Sequence, residues 1–216
     1  MEQYGFFVNT DICTGCKACM TSCFDRNNLE VPQKFRKVYE FGGGEWKADD
    51  AGAFTATAFT YYVSMTCGHC ENPACVEVCP TGATYKREDG IVVINKEECI
   101  GCESFVGACP YQARSKAASE DGYFGAELNE YEELMYPVMP AGAVDKCTFC
   151  AERVAEGVEP YCVAACPANA RVFGDLNDPE SAPSKLMQER HAEPYLPEAG
   201  THPSVCLLYT SDAADE

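Results

Sequence analysis

Fifteen of the sixteen cysteines in this 216-residue chain fall into four short runs, and no other feature restricts the fold so tightly. The first run is CTGCKACMTSC, with Cys13, Cys16, Cys19 and Cys23. The second is CGHCENPACVEVCP, with Cys67, Cys70, Cys75 and Cys79. The third is CIGCESFVGACP, with Cys99, Cys102 and Cys109. The fourth is CTFCAERVAEGVEPYCVAACP, with Cys147, Cys150, Cys162 and Cys166. Such a density calls for disulfides, zinc or iron–sulfur clusters. Close triplets make a poor disulfide framework, because adjacent C-x2-C cysteines rarely bridge. The fourth run alone would serve as a four-cysteine zinc site. Three ferredoxin-like runs beside it point instead to iron and sulfide.

The spacing has a mechanical reason. Thiolates at i, i+3 and i+6 of a tight loop can reach three corners of one cubane, and glycines in CTGC and CIGC relieve backbone crowding there. The fourth cysteine is expected to begin a short helix facing away, and so to ligate the other cluster of a pair. Proline after Cys79, Cys109 and Cys166 fixes φ and turns the chain outward. The third run breaks the rule. A ferredoxin run C-x2-C-x2-C-x3-C-P requires a cysteine at 105, where this chain has Phe105. Phe105 cannot bind iron, so one corner of its cluster has no thiolate and a three-iron centre is expected. An absent cluster and a sequence error at that codon are the alternatives.

The remaining sequence excludes several functions. The formal charge is −18, from 16 basic and 34 acidic residues, with no basic stripe to displace phosphate counterions, so nucleic acid is not a partner. The amino terminus has no basic start followed by an apolar run, so no signal peptide is expected. The most apolar window, residues 53–65, is too short and too Thr-rich to span a bilayer. Residues 206–216, CLLYTSDAADE, read as the translation of a sequencing adapter. They are set apart from the fold, with the true C-terminus missing after about Val205. No nucleophile–base pair or phosphate loop is visible, so no catalytic residue is assigned.

Between the runs, residues 4–11, 58–65 and 170–176 read as strands, and residues 83–99 as a hairpin turning at 88–90. Short helices are expected after each C-P or fourth cysteine. Residues 113–145 lack cysteine and read as an inserted loop or partner-facing arm. His69 is placed near a cluster as a hydrogen-bond donor towards sulfur. Lys17 and Lys146 sit beside ligands, where their charge could raise a potential, or else on the surface. Trp46, Tyr61 and Tyr62 are read as packing residues.

The four runs in this order resemble the iron–sulfur electron-transfer subunits of the dimethyl sulfoxide reductase family. The resemblance spans residues 3 to about 205 and rests on QYGFF, CTGCKAC, TYYVSMTCGHC, NPACVEVCPTGATYKREDG, CIGC, KCTFCAERVAEG and FGDLNDPES. It implies an α+β fold, loop-rich, with two bacterial-ferredoxin-like double-cluster modules. One comprises residues 1–35 with 140–176, the other 55–112. Residues 113–139 are then an inserted loop and 177–205 a C-terminal extension.

Carried over by the resemblance, Cys13, Cys16, Cys19 and Cys166 share one 4Fe-4S cluster. Cys147, Cys150, Cys162 and Cys23 share a second, and Cys67, Cys70, Cys75 and Cys109 a third. Cys79, Cys99 and Cys102 hold the 3Fe-4S centre at Phe105. The family further implies a molybdopterin (or tungsten) catalytic subunit and an integral membrane quinol-linked anchor as partners, with membrane association only through them. A soluble polyferredoxin, or an electron-transfer partner of a hydrogenase or multihaem reductase, is the alternative.

Overall fold

The computed structural model describes residues 2–122, 124–135 and 140–208. In chain order it runs β1 (Tyr4–Asn9), α1 (Ala18–Asn27), β2 (Arg36–Gly43), β3 (Trp46–Ala48), β4 (Phe54–Ala56), β5 (Phe59–Thr66) and α2 (Ala74–Glu77). There follow β6 (Thr84–Lys86), β7 (Val92–Ile94), α3 (Phe105–Ala108), β8 (Arg114–Lys116), α4 (Glu130–Met135) and β9 (Val144–Lys146). The last part contains α5 (Ala151–Ala155), α6 (Tyr161–Ala164), β10 (Arg171–Asp175), α7 (Ala182–Arg190), β11 (Glu193–Pro194), a 3-10 turn (Pro197–Ala199) and β12 (Val205–Leu208).

β1 carries Phe6, Phe7 and Val8 in succession, and all three are buried. A continuous apolar run of this kind belongs to a strand covered on both faces. It lies inside a four-stranded sheet of order β10-β1-β12-β11. β10 pairs with it antiparallel, Phe6 opposite Phe173, and β12 pairs parallel, Phe6 opposite Val205. The first and last described strands are thereby brought together. α7 packs on β1 and β10; its N-cap Ser181 accepts the Ser184 N–H, and Pro183 sits in its first turn, where a missing N–H costs nothing.

The strands expected at 4–11, 58–65 and 170–176 are present as β1, β5 and β10, and the hairpin is β6–β7 around Gly90. The sequence reading has no counterpart for β2. It pairs along its whole length with β5, and the small ribbon β3–β4 extends beyond them. Trp46 stands 68% exposed at this tip, so it is not a packing residue. Tyr61 does pack, stacked on Phe41 at 5.2 Å between ring centroids. Residues 113–145 are an excursion closed at its base by the antiparallel pair β8–β9.

Helix placement also corrects the sequence reading. The short helices α2, α3 and α6 precede Cys79, Cys109 and Cys166 instead of following them. A residue before proline is pushed out of the α region, so the C-P step ends each helix. Cys109, at φ −87° and ψ 109°, is already extended. Cys206, Leu207 and Leu208, set apart in the sequence reading, lie buried in β12. β1 offers a free edge beyond Val205, and an apolar tripeptide fills it. Residues 209–216 lie outside the described residues.

The core gathers Phe6, Val8, Cys19, Val63, Ile91, Phe149, Cys162, Val205 and Leu207. Phe6 is its centre. Its ring meets Phe149 edge-on at 5.0 Å and Phe173 at 4.9 Å, and carries the Arg36 guanidinium at 5.2 Å. Phe6→Ala is expected to destabilise the cluster-loaded protein by about 3–5 kcal/mol, as deletion of a buried aromatic ring does elsewhere. A lower denaturant midpoint for loss of the cluster absorbance would register it.

Candidate metal centre

All sixteen cysteines are free thiols, so disulfides play no part. The runs distant in sequence come together. Cys23 in α1 is half-buried, and its thiol is pushed well up, first by desolvation and then by the neighbouring thiolates of Cys147, Cys162 and Cys150. Cys70 is pushed up to about 12 by burial, with Cys67, Cys75 and Cys109 adding to the effect and Thr201 opposing it. Cys102 is exposed; the Ser104 hydroxyl, 3.2 Å away, holds its thiol down, while Cys79 acts on it in the opposite sense. Cys166 follows just after α6, which packs on α1, the helix that holds Cys19.

Tight backbone geometry makes these approaches possible. Gly15 and Gly101 adopt φ of 65° and 64° within their C-x-G-C loops. A Cβ on Gly15 would stand 2.4 Å from the Tyr62 ring, so only glycine lets this loop lie against β5. Lys17 and Cys150 also take left-handed φ, at the starts of α1 and α5.

Backbone N–H groups point at sulfur: Phe149 to Cys147 Sγ (3.4 Å), Ala170 to Cys166 Sγ (3.3 Å) and Thr84 to Cys79 Sγ (3.4 Å). Cys79, pushed up by burial but held by donors from Thr84 and Thr81, settles lower, at about 7. Hydrogen bonds of this kind favour the thiolate over the thiol.

Cationic side chains complete the surroundings. Arg171 donates from Nη2 to Cys19 Sγ at 2.8 Å and from Nη1 to the Cys162 carbonyl at 3.5 Å. Arg114 stacks on Phe105 at 5.0 Å and donates to Thr84 Oγ1 at 3.0 Å. Lys146, 1% exposed, donates to the Val92 and Cys147 carbonyls. Arg114 and Lys146 lie directly opposite one another in β8–β9. Like charges so placed repel unless an anion lies beside them. Both act on the Cys75 thiol, which burial raises and Arg114 and Lys146 lower without fully offsetting it, and both act on the His69 ring.

Whether these residues suit an anionic iron–sulfur cluster can be judged from their unsatisfied atoms. Among the described residues, the buried side-chain atoms without a partner include Arg36 Nη2, Arg114 Nη2, Arg171 Nε and His69 Nε2. A buried N–H without an acceptor is costly, and these four lie in the midst of the cysteine runs. Electron-rich sulfur would satisfy them. No group of three or more His, Cys, Asp or Glu among the described residues closes in as a single-ion site would, where zinc needs sulfur at about 2.3 Å. The donor set fits clusters, whose thiolates attach at separate corners.

The other sequence candidates sort plainly. His69 is fully buried between Cys67 and Cys70; Nδ1 accepts the Val92 N–H at 2.9 Å, and burial followed by the charge of Lys146 keeps the ring neutral. Lys17 is exposed. Lys146 is buried, which removes the surface alternative for it. Phe105 opens α3 and is half-buried.

Sequence reasoning missed Arg36, Arg114 and Arg171, although a signal was present for two of them. The segments CPTGAT (79–84), CPYQAR (109–114) and CPANAR (166–171) repeat one pattern. In each, the third residue after cysteine is left-handed and returns its N–H to the cysteine carbonyl, at 3.2 to 3.3 Å. The buried alanine comes after it, and the next residue opens a strand beside the sulfur. That residue is Arg114 or Arg171 in two copies and Thr84 in the third.

The chain matches the 4Fe-4S dicluster domain family over residues 58–123 and 133–176, and a second 4Fe-4S dicluster domain model over residues 12–83. The unmatched stretch 124–132 lies in the excursion between β8 and β9. The chain is 42% identical over 176 residues to a chain of the anaerobic dimethyl sulfoxide reductase of Escherichia coli (strain K12), covering 82% of this chain and 75% of that one. It is 39% identical over 222 residues to a putative dimethyl sulfoxide reductase iron-sulfur subunit of Halobacterium salinarum, covering 96% and 79%. Similarity to the arsenate respiratory reductase iron-sulfur subunit ArrB of Shewanella sp. (strain ANA-3) is 34% over 236 residues, covering 95% and 96%.

Lys146→Met is expected to strip a buried charge that acts on the Cys75 thiol and to leave the Val92 and Cys147 carbonyls without their donor. A loss of about 3–5 kcal/mol is the usual scale for breaking such a buried pairing. Iron retained per chain after mild denaturant exposure should fall accordingly.

Proposed function

This protein belongs to the 4Fe-4S dicluster family that includes the iron–sulfur subunits of anaerobic reductases, and on that premise we propose that it carries electrons between a molybdopterin catalytic subunit and a membrane quinol-linked anchor. Bound clusters supply one-electron redox centres with potentials set by charge, hydrogen bonds to sulfur and exposure. The chain itself supplies thiolate ligands, N–H donors to sulfur and a dry interior.

We assign Cys13, Cys16, Cys19 and Cys166 to one 4Fe-4S cluster, Cys23, Cys147, Cys150 and Cys162 to a second, and Cys67, Cys70, Cys75 and Cys109 to a third. Cys79, Cys99 and Cys102 hold a 3Fe-4S centre. The observation that carries the reading is the mutual approach of thiols from distant runs, above all Cys23 among Cys147, Cys150 and Cys162. Exposure adds support. Cys16 and Cys102 are exposed, whereas Cys19, Cys67, Cys162 and Cys166 are buried. Such a series can take up an electron at one surface and release it at another. The apolar side chains of Ile100 and Val106, 67% and 59% exposed beside Cys102, provide a surface that a partner subunit would cover. No helix among the described residues is long and apolar enough to cross a membrane, so membrane attachment in this reading comes through the anchor subunit.

Two experiments test the assignment. Cys166→Ser should damage the cluster held by Cys13, Cys16 and Cys19, far away in sequence; a change confined to the signal of Cys147, Cys150 and Cys162 would refute the cross-pairing. Iron analysis should give about 15 irons per chain, three four-iron clusters and one three-iron cluster. The oxidised protein should show the near-isotropic EPR signal of an all-ferric three-iron centre, and Phe105→Cys should abolish it by completing a cubane. About 12 irons would mean that the fourth site is empty, and about 16 with an EPR-silent oxidised state that a further ligand exists.

A further inference from the structure

Arg36 opens β2 and is 1% exposed. Three features fix its guanidinium. It lies over the Phe6 ring at 5.2 Å, Nη1 donates to Ser64 Oγ at 3.2 Å, and Nη2 is buried without a partner. Ser64 in turn lies 3.7 Å from Cys19 Sγ. No carboxylate is paired with Arg36 among the described residues. An arginine is not buried in this way without an anion to face. β2 packs against α1, the helix that carries Cys19 of one ligand set and Cys23 of the other, and the thiols that act on the Arg36 charge come from both sets: Cys162, Cys147 and Cys23, and Cys19.

From this placement we infer that Arg36 is a shared tuning residue, one fixed positive charge lodged between two cluster sites and raising the reduction potential of both. The inference rests on the ligand sets proposed above. It separates Arg36 from Arg171, which reaches sulfur only at Cys19 Sγ and touches the second set through the Cys162 carbonyl at 3.5 Å. It also gives Ser64 a part. The hydroxyl accepts from Arg36 and is positioned to donate to Cys19 Sγ, relaying the charge to that one sulfur. A cation shared by two sites moves both levels the same way. The driving force for an electron to pass between them therefore changes less than either potential does.

Burial opposes the charge on Arg36, but the thiolates of Cys162, Cys19, Cys147 and Cys23 more than offset this, and its pKa goes up. The guanidinium is thus charged throughout the working range, and its effect is that of a permanent charge.

The test is a potentiometric EPR titration of the cluster-loaded protein with its catalytic subunit, with signals assigned through the Cys166→Ser and Cys23→Ser variants. Arg36→Gln should make both clusters harder to reduce, each by roughly tenfold in its reduction equilibrium, about 59 mV for one electron. The clusters of Cys67, Cys70, Cys75 and Cys109 and of Cys79, Cys99 and Cys102 should stay put. Arg36→Lys should restore most of the shift, and Arg171→Gln should move the Cys19 cluster more than its neighbour. Ser64→Ala retains the charge but removes the relaying hydroxyl, and should lower the Cys19 cluster more than its neighbour; if Arg36→Gln does not assemble, Arg36→Met is the decisive variant, with the same shift of both clusters expected. Unchanged potentials, or an equal shift of all four, with iron content intact would overturn the shared charge while leaving the ligand sets standing. If the assigning cysteine variants remove signals in other combinations, the ligand sets themselves are wrong.

Discussion

Positive charge held next to sulfur, inside a protein whose outside is acidic, is the interaction on which this structure turns. The chain has a formal charge of −18 and only 16 lysines and arginines, yet Arg36, Lys146 and Arg171 are buried and Arg114 is half-buried. Burying an unpaired cation is among the costliest things a fold can do. Here the cations lie where cysteine runs from opposite ends of the sequence meet. Three of the strands that hold them, β2, β8 and β9, belong to two-stranded ribbons outside the central sheet. Their positions make sense only around a common centre of negative charge.

That centre also explains the topology. β1 and β10 are the first and last strands of the region that holds the cysteine runs, and their pairing brings Cys13–Cys23 to Cys162–Cys166. The side chains that seal this junction come from both sides, Phe6 from β1 and Phe149 from the fourth run. The excursion between β8 and β9 is fastened as well. Glu30, just after α1, accepts from the Ala118 N–H at 2.6 Å and the Ser119 hydroxyl at 2.7 Å. Burial raises its pKa, but these donors and Gln33 outweigh burial and hold the carboxyl below the ordinary range. The ionised form is therefore the one that ties the excursion down.

The cysteines are legible in sequence because their spacing is set by the geometry of a rigid inorganic body, which tolerates little drift. β1 is legible because burial on both faces writes an apolar run, and β5 and β10 because they carry short runs of aromatic and β-branched residues. Arg36 is not. In sequence it is one residue of KFRKVYEF, and a buried arginine looks like an exposed one until its partner, here distant in the chain, is known. The order of helix and fourth cysteine is misread when the C-P step is treated as a helix start. The proline excludes the preceding residue from helical geometry, so the same two letters mark a helix end. The arginines after Cys109 and Cys166 are readable in principle, since C-P-x-x-A occurs three times and sets the next residue at the opening of a strand.

The buried guanidinium of Arg36 has a consequence for biosynthesis. Until sulfide and iron arrive, this side chain must either stay solvated, which keeps β2 off β5, or be buried against thiols that are mostly protonated. Both alternatives favour an open chain, and an open chain is food for proteases. Because the folded form is stabilised by what binds it, the folded fraction of this subunit falls when clusters are not supplied. Shortage of clusters would then be felt first as a shortage of folded subunit.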